Sequence, residues 1–266
     1  MPNLATEAEK TMALELVTIP CLTDNFAFLV RDGGTGTVAL VDAPEAGPIL
    51  AALRERGWPL HLILLTHHHD DHIQAVPRIV ADTGARVWGA AADAHRLPPL
   101  DRALHEGDAI AVGDEAGTVI AVPGHTVGHL AFHFPAAGLA FTADSLMAAG
   151  CGRLFEGSPA QMWQSLGKLA ALPPETLVCS GHDYLTGNLR FAATLEPGNP
   201  ALILRIEALE RMRREGRPPM PSRLSEELAT NPFLRAGLPG MKAAVGMPDA
   251  PDVEVFAEIR KLKDRF

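Results

Sequence analysis

The stretch LILLTHHHDDHI, Leu62 to Ile73, sets four histidines and two aspartates directly behind an apolar run. Imidazoles and carboxylates at the end of a buried strand are costly to desolvate unless something pairs with them. A divalent metal ion is the partner these residue types suit, since imidazole nitrogen and carboxylate oxygen are ordinary metal ligands. Residues i and i+2 of an extended segment point the same way. His67 and His69 can therefore converge on one ion while His68 points elsewhere, and Asp71 and His72 can turn toward a second. More donors sit where later apolar runs end: His125 after TVIAV and a Pro-Gly turn, Asp144 closing GLAFTAD, and His182 after TLVCSG. Layered α/β folds gather their sites at strand ends, so these three can join the first cluster. The set reads as His67, His69 and His125 for one ion, and Asp71, His72 and His182 for another. Asp144 falls between them, because a carboxylate has two oxygens. Three histidines leave one coordination position open, as catalytic zinc sites require. His129 either supports this set or packs in the core; His61, His95, His105 and His133 show no ligand spacing.

The elements that must carry these residues are legible in outline. LELVTIP, NFAFLVRD and TVALVDA read as strands, with GGTG turning between the last two. AGPILAALRERG has helical periodicity. LHLILLT is a buried strand, followed by a helix from about Ile73 to Thr83 that Gly84 closes. RVWGA, AIAVGD, TVIAVPG, HLAFHFP and GLAFTAD are further strands; Ser158-Pro159 caps a helix to about Ala171, and TLVCSG is the last strand. From Asp183 onward the pattern is helical: NPALILRIEALERMRREG stops at Gly216, Ser225 caps a short helix, and DVEVFAEIRKLKDRF is the final one. The architecture is a strand-rich α/β domain with a boundary near residues 172–185 and a helical C-terminal domain.

Composition narrows the function classes. The 266 residues are 47% hydrophobic, enough for a sizeable core, and carry a net charge of −9, which disfavours nucleic-acid binding by charge. Cys21, Cys151 and Cys179 are scattered and odd in number, which fits a reducing compartment rather than a disulfide framework. None has a base motif beside it, so a cysteine nucleophile is rejected. MPNLATEAEKTM has no apolar core of a secretory signal, and no run approaches the roughly 20 apolar residues that span a bilayer. The expectation is a cytoplasmic protein that touches neither membrane nor nucleic acid.

THHHDDH, PGHTVGH, FTAD and SGHDY match, in order and spacing, the metallo-β-lactamase superfamily. FTADSLMAAGCGRLFEG (Phe141–Gly157), NPFLR (Asn231–Arg235) and RKLKDRF (Arg260–Phe266) resemble, more narrowly, glyoxalase II, the hydroxyacylglutathione hydrolases. The resemblance runs from about Leu14 to Phe266. It implies a four-layer αββα sandwich over residues 1–180 and a helical, glutathione-binding domain over 181–266. It also implies the seven ligands named above for two divalent metal ions, zinc first, with iron or manganese accepted. Glutathione contacts fall by motif on Arg153, Tyr184, Arg260 and Lys263. Two positions depart from the family, which often has Lys then Tyr in GCGKxYEG where this chain has Arg153 and Phe155. Arg keeps the charge in a planar fork rather than an ammonium, and Phe155 lacks the hydroxyl.

Glutathione thioesters carry two carboxylates and one ammonium, so a chain of net charge −9 needs local cations to bind them. RKLKDR supplies four in six residues, with Arg260 and Lys263 on one helical face; a solvated helix end complementing its dipole is the plainer account of the same residues. The implied reaction is hydrolysis of an S-2-hydroxyacylglutathione such as S-lactoylglutathione by a hydroxide held between two metals, as in methylglyoxal detoxification. Asp71 and Asp144 are the catalytic carboxylates, fixing the second metal and the bridge, in a protein expected to be a monomer. The rivals are a mononuclear-iron glutathione persulfide dioxygenase of the same superfamily, a nuclease of this fold, and a non-catalytic metal-binding module.

Overall fold

The computed structural model describes residues 14–266, so the N-terminal stretch read above as lacking a signal lies outside the described residues. The first half of the chain forms β1 (Leu14–Cys21), β2 (Asn25–Asp32), β3 (Val38–Val41), α1 (Ala46–Arg56), β4 (Leu62–Leu64), α2 (Asp70–Ile73), α3 (Val76–Thr83), β5 (Arg86–Ala90) and β6 (Arg102–Leu104). They make a six-stranded sheet in the order β1-β2-β3-β4-β5-β6, antiparallel through β3 and parallel beyond it. Parallel neighbours need crossover connections, which α1 and α2–α3 supply. Gly57 and Gly84 end α1 and α3 in the left-handed conformation that glycine adopts without steric cost. The helix expected from Ile73 to Thr83 is two pieces, and α2 begins earlier, at Asp70, so Asp71 and His72 lie on a helical turn.

The second sheet draws on β7 (Ala109–Val112), β8 (Glu115–Ala121), β9 (Leu130–Phe134), β10 (Leu139–Ala143) and β13 (Leu177–Ser180). A short hairpin, β11 (Leu146–Met147) with β12 (Gly150–Cys151), and α4 (Pro159–Ala170) intervene before β13. The C-terminal part holds α5 (Leu185–Leu195), α6 (Pro200–Arg214), β14 (Ser222–Arg223), α7 (Leu224–Thr230), α8 (Pro239–Ala244) and α9 (Asp252–Arg265). TLVCSG is therefore not the last strand: β14 pairs antiparallel with β13 and closes the second sheet, in the order β14-β13-β10-β9-β8-β7. Two residues are too few to show an alternating pattern, which is why this strand escapes sequence reading. Ser225 is not a cap either; Arg223 holds the N-cap position of α7 and its N–H donates to Glu226. Ser158 does cap α4, in a capping box with Gln161.

The sheets stack through one apolar core, in which Phe28 of β2 meets Phe141 of β10 at 5.7 Å between ring centroids. A second cluster joins α4, α9 and the outer face of the second sheet through Met162, Leu166, Phe233 and Phe256. Backbone bonds sew the sheets together along one edge, including Phe26 N–H to the Gly181 carbonyl (2.8 Å) and Leu130 N–H to the Thr66 carbonyl (2.8 Å).

The β2–β3 turn is held by one carboxylate. Asp32 accepts from the N–H groups of Gly34, Thr35 and, across the sandwich, Asp114, and from the Thr35 hydroxyl. The Thr35 hydroxyl bond and these N–H groups hold its pKa down at about 2. Such a depressed carboxylate stabilises the fold above its unfolded value of about 3.9, and that contribution disappears as pH falls through the folded value. Asp32→Ala should therefore cost about 1–3 kcal/mol at pH 7. The gap between the urea midpoints of variant and parent should narrow between pH 4 and pH 2; a constant gap would mean that the ionised carboxylate is not its source.

Candidate metal centre and substrate cavity

The predicted ligands all follow the C-terminal ends of strands that point to this edge: β4 of the first sheet, and β8, β10 and β13 of the second. His67, His69 and His125 form one group of donor atoms and Asp71, His72 and His182 another, each with its atoms within 4.8 Å of one another. In the first group His69 Nδ1 lies 3.1 Å from His67 Nε2 and 3.0 Å from His125 Nε2. In the second, His182 Nε2 lies 3.3 Å from His72 Nε2 and 3.4 Å from Asp71 Oδ2. Two ligand atoms each about 2.1 Å from a tetrahedral zinc are about 3.4 Å apart, so these separations suit donors sharing an ion. Asp144 reaches both groups. Its Oδ2 is 3.5 Å from His125 Nε2 and 3.3 Å from His182 Nε2, and its Oδ1 is 3.5 Å from His72 Nε2.

The side chains behind the donors aim them. His72 Nδ1 lies 2.8 Å from Asp42, which also accepts from the Thr66 N–H and hydroxyl. His182 Nδ1 lies 2.9 Å from Asp24, and His125 Nδ1 lies 2.8 Å from the Arg153 carbonyl. Asn25 donates to Asp71 Oδ2. Such partners fix the ring orientation and the tautomer of a ligating imidazole. Asp42 also lies near His67 and His72, but its oxygens are already committed to Thr66 and His72, so it orients rather than ligates. Sequence reading missed Asp24, Asn25, Asp42 and Thr66. The signal was faint: Asp42 ends a strand, and Asp24-Asn25 sits in a tight turn.

The electrostatics call for cations. Burial lowers the pKa values of His67, His69 and His125, leaving the neutral imidazoles that ligate metals. Burial alone would lower His182 too, but Asp144, Asp24 and Asp71 push it up to about 9. Burial opposes ionisation of Asp144, yet His72, His182 and His125 around it hold its carboxyl far below the usual range. Asp144 Oδ1 is buried without a hydrogen-bond partner, an oxygen left free to meet a cation. Gly181 and Gly152 complete the cradle: a Cβ at the first would overlap Asp144 and His72, and at the second the Asp144 carbonyl and His125. The residues present fit a pair of ions.

His68 points away, as expected, with Nδ1 3.1 Å from Asp93. His129 is buried and stacks on the His67 ring at 4.7 Å, which makes it packing support for that donor. His61 accepts from the Val38 N–H, and His95 and His105 are exposed. The cysteines are buried and free; burial pushes Cys21 up to about 12 and Cys151 to about 11, so these thiols are unreactive.

The centre opens into a cavity of about 680 Å³ that also exposes Arg153, Phe155, Tyr184, Arg260 and Lys263. All four residues expected to bind glutathione thus line the same space as the donors. Tyr184 stacks on His182 at 4.8 Å. Phe155 is 63% exposed and turns its edge to His69 and His125, so it is not a core residue. Arg260 is buried, donating to the Cys151 carbonyl (2.8 Å) and to Asp264 (2.9 Å). Lys263 Nζ donates to the Gly187 carbonyl (3.2 Å). No described helix is long and apolar enough to cross a membrane.

Two facing sheets with paired His/Asp donors at one edge define a metallo-β-lactamase superfamily protein, and residues 23–182 match the model of that superfamily. The crystal structure of BLEG-1 B3 metallo-β-lactamase shares the fold, with a TM-score of 0.65 over 83% of this chain and 99% of that one, at 20% identity. TTHA1623, crystallised in a di-iron-bound form, is 31% identical with a TM-score of 0.56, over 64% of this chain and 92% of that one. Residues 183–266 match the model described as hydroxyacylglutathione hydrolase C-terminus. The hydroxyacylglutathione hydrolase of Fuscovulum blasticum is 73% identical over 255 residues, 96% of this chain and 100% of that one. The chain belongs to the hydroxyacylglutathione hydrolase family, and its His and Asp cluster is a centre for divalent metal ions.

The alternation of the histidines makes a sharp test. His69→Ala should remove the metal of its group, leaving about one ion per chain after dialysis, whereas His68→Ala should keep both. Metal counting that shows the reverse would put the register off by one residue.

Proposed function

We propose that this chain hydrolyses S-2-hydroxyacylglutathione thioesters, S-lactoylglutathione among them, to a 2-hydroxy acid and glutathione. The observation that carries this reading is the shared cavity, where two donor groups and the cations Arg153 and Lys263 face one space. The name of the 73% identical relative supports it. In this reading His67, His69 and His125 hold one ion, Asp71, His72 and His182 the other, and Asp144 lies between. Zinc suits a donor set of imidazoles and carboxylates, and the di-iron form of TTHA1623 makes iron the alternative. When bound, the metals supply Lewis acidity, polarising a carbonyl and bringing the pKa of water toward about 7.

The protein's own groups do the positioning. Asp42, Asp24 and the Arg153 carbonyl keep the imidazoles aimed, so little reorganisation is needed during reaction. Phe155 and Tyr184 flank the donors on two sides, packing their rings against His69 and His182. Burial, with Asp24, Asp144 and Asp71 nearby, pushes the Tyr184 phenol up to about 12, so it stays a donor at neutral pH. Arg153 and Lys263 offer cations to the glutathione carboxylates. Arg260, buried against Cys151, contributes by shaping the wall and by its field. A thiolate leaves readily, so no general acid is required. The buried free cysteines fit a reducing, cytoplasmic setting.

Protein with its metals counted should hydrolyse S-lactoylglutathione at two ions per chain, releasing free thiol without oxygen uptake. Oxygen consumption with a glutathione persulfide at one iron per chain would replace this reading with the dioxygenase.

Two substitutions probe recognition. Lys263→Ala should raise KM about 10-fold, the equivalent of about 1.5 kcal/mol for one charge-assisted hydrogen bond, with kcat little changed. Added salt should shrink the difference. Phe155→Tyr adds a hydroxyl to an exposed ring, so the thermal midpoint should hold while KM falls roughly 2- to 12-fold. An unchanged KM would remove Phe155 from the glutathione groove.

A further inference from the structure

The β11–β12 hairpin begins two residues after Asp144 and ends two residues before Arg153, whose carbonyl holds His125. It is buried throughout, and its turn residue Ala149 has φ 52°, a conformation alanine rarely adopts. Two backbone pairs are too few to hold such a hairpin by themselves. Its outward backbone groups are instead met by side chains from the C-terminal helices. Asn231, which caps the end of α7, donates through Nδ2 to the carbonyls of Met147 (3.2 Å) and Gly150 (2.9 Å). Glu227 accepts from the Ala149 N–H (2.7 Å) and from Asn231 (3.1 Å). Asn188 of α5 donates to the Ala148 carbonyl (2.9 Å).

Glu227 and Asn231 are fully buried, and neither lines the cavity. A buried carboxylate needs a partner, and Arg205 of α6 supplies it, bonding Glu227 and, at 2.6 Å, the Thr230 hydroxyl. The arrangement is committed: both Glu227 oxygens receive donors, and the Asn231 Oδ1 accepts from the Phe233 N–H (3.1 Å). Stability alone would be served as well by an apolar contact, since a buried ion pair gains little over a hydrophobic one. What an apolar contact cannot do is fix where the three backbone groups that Asn231 and Glu227 meet lie.

We propose that Asn231, backed by Glu227 and Arg205, is a positioning residue that sets the β11–β12 hairpin and through it the Asp144 carboxylate and the Arg153 carbonyl behind His125. The helical part of the chain then shapes the metal centre as well as the cavity wall. This rests on the ligand assignment proposed above.

The test uses full-length holoprotein and its cobalt(II)-substituted form. Asn231→Ala and Glu227→Gln should each lower kcat about 10- to 100-fold, the range for partners that orient metal ligands, with KM within about twofold. They should weaken affinity for one metal about 10-fold and shift the visible absorption bands of the cobalt form. Leu53→Ala, a buried truncation on α1 distant from the hairpin, should lower the thermal midpoint while leaving kcat and the cobalt bands at parental values. Should Asn231→Ala not yield folded chain, Asn231→Ser, which keeps one donor, takes its place. Parental metal affinity and cobalt bands in the folded Asn231 and Glu227 variants would overturn the proposal, whatever their stability. Because metal affinity and the cobalt bands need no substrate, they decide this point even if S-lactoylglutathione proves not to be hydrolysed.

Discussion

A carboxylate as buried as Asp144 keeps its charge only where cations or donors surround it. That condition dictates much of the structure. Its neighbours His125, His72 and His182 come from two sheets, so both sheets must end at one edge and stay in register there. The backbone bonds from Phe26 to Gly181 and from Leu130 to Thr66 do this directly. Ala143, immediately before the carboxylate, takes a positive φ of 41°, a strained geometry that costs of order 1–3 kcal/mol and survives only where its surroundings impose it. Gly181 and Gly152 leave the space that any side chain would fill.

The same logic extends outward. Each imidazole that faces the centre through one nitrogen has its other nitrogen spoken for, where the structure shows a partner, by Asp42, Asp24, the Thr66 hydroxyl or the Arg153 carbonyl. These partners are two carboxylates, a hydroxyl and a backbone carbonyl, all from turns and loops beside the strands. The helical C-terminal part belongs to this design more closely than a separate domain would. It shares an apolar cluster with α4 and the second sheet, adds β14 to that sheet, and turns Lys263 and Arg260 toward the cavity. Arg260 illustrates the economy: one guanidinium holds the Cys151 carbonyl, lies 4.9 Å over Phe233 and places positive charge at the cavity wall.

Much of this was legible in the chain before folding. The alternation in His67-His68-His69 assigned inward and outward rings, because an extended backbone has a period of two whatever surrounds it. Strand-end placement picked out His125, Asp144 and His182, since buried apolar runs announce themselves and polar residues after them stand out. Gly84 marked a helix end through a local conformational preference. The failures share a cause. β14 is two residues long and exists only because β13 offers an edge. The N-cap of α7 falls on Arg223, a residue type with no capping preference, because the chain leaves β14 there.

What the sequence by itself determined was the inventory: the donor types, their local spacing, the layered elements and the family they resemble. Local geometry suffices for these, since each depends on a few consecutive residues. Which partners aim the donors was decided only by tertiary structure. Asp24 meets His182 across 158 positions, Asp42 meets His72 across 30, and Asn231 meets Gly150 across 81. Whether Phe155 lay in the core or on the cavity was likewise undecided, because an aromatic ring suits both. No pattern in a linear chain encodes such pairings, because a hydrogen bond is fixed by direction and distance in space, and those exist only once both sheets and the helices behind them have closed on the same edge.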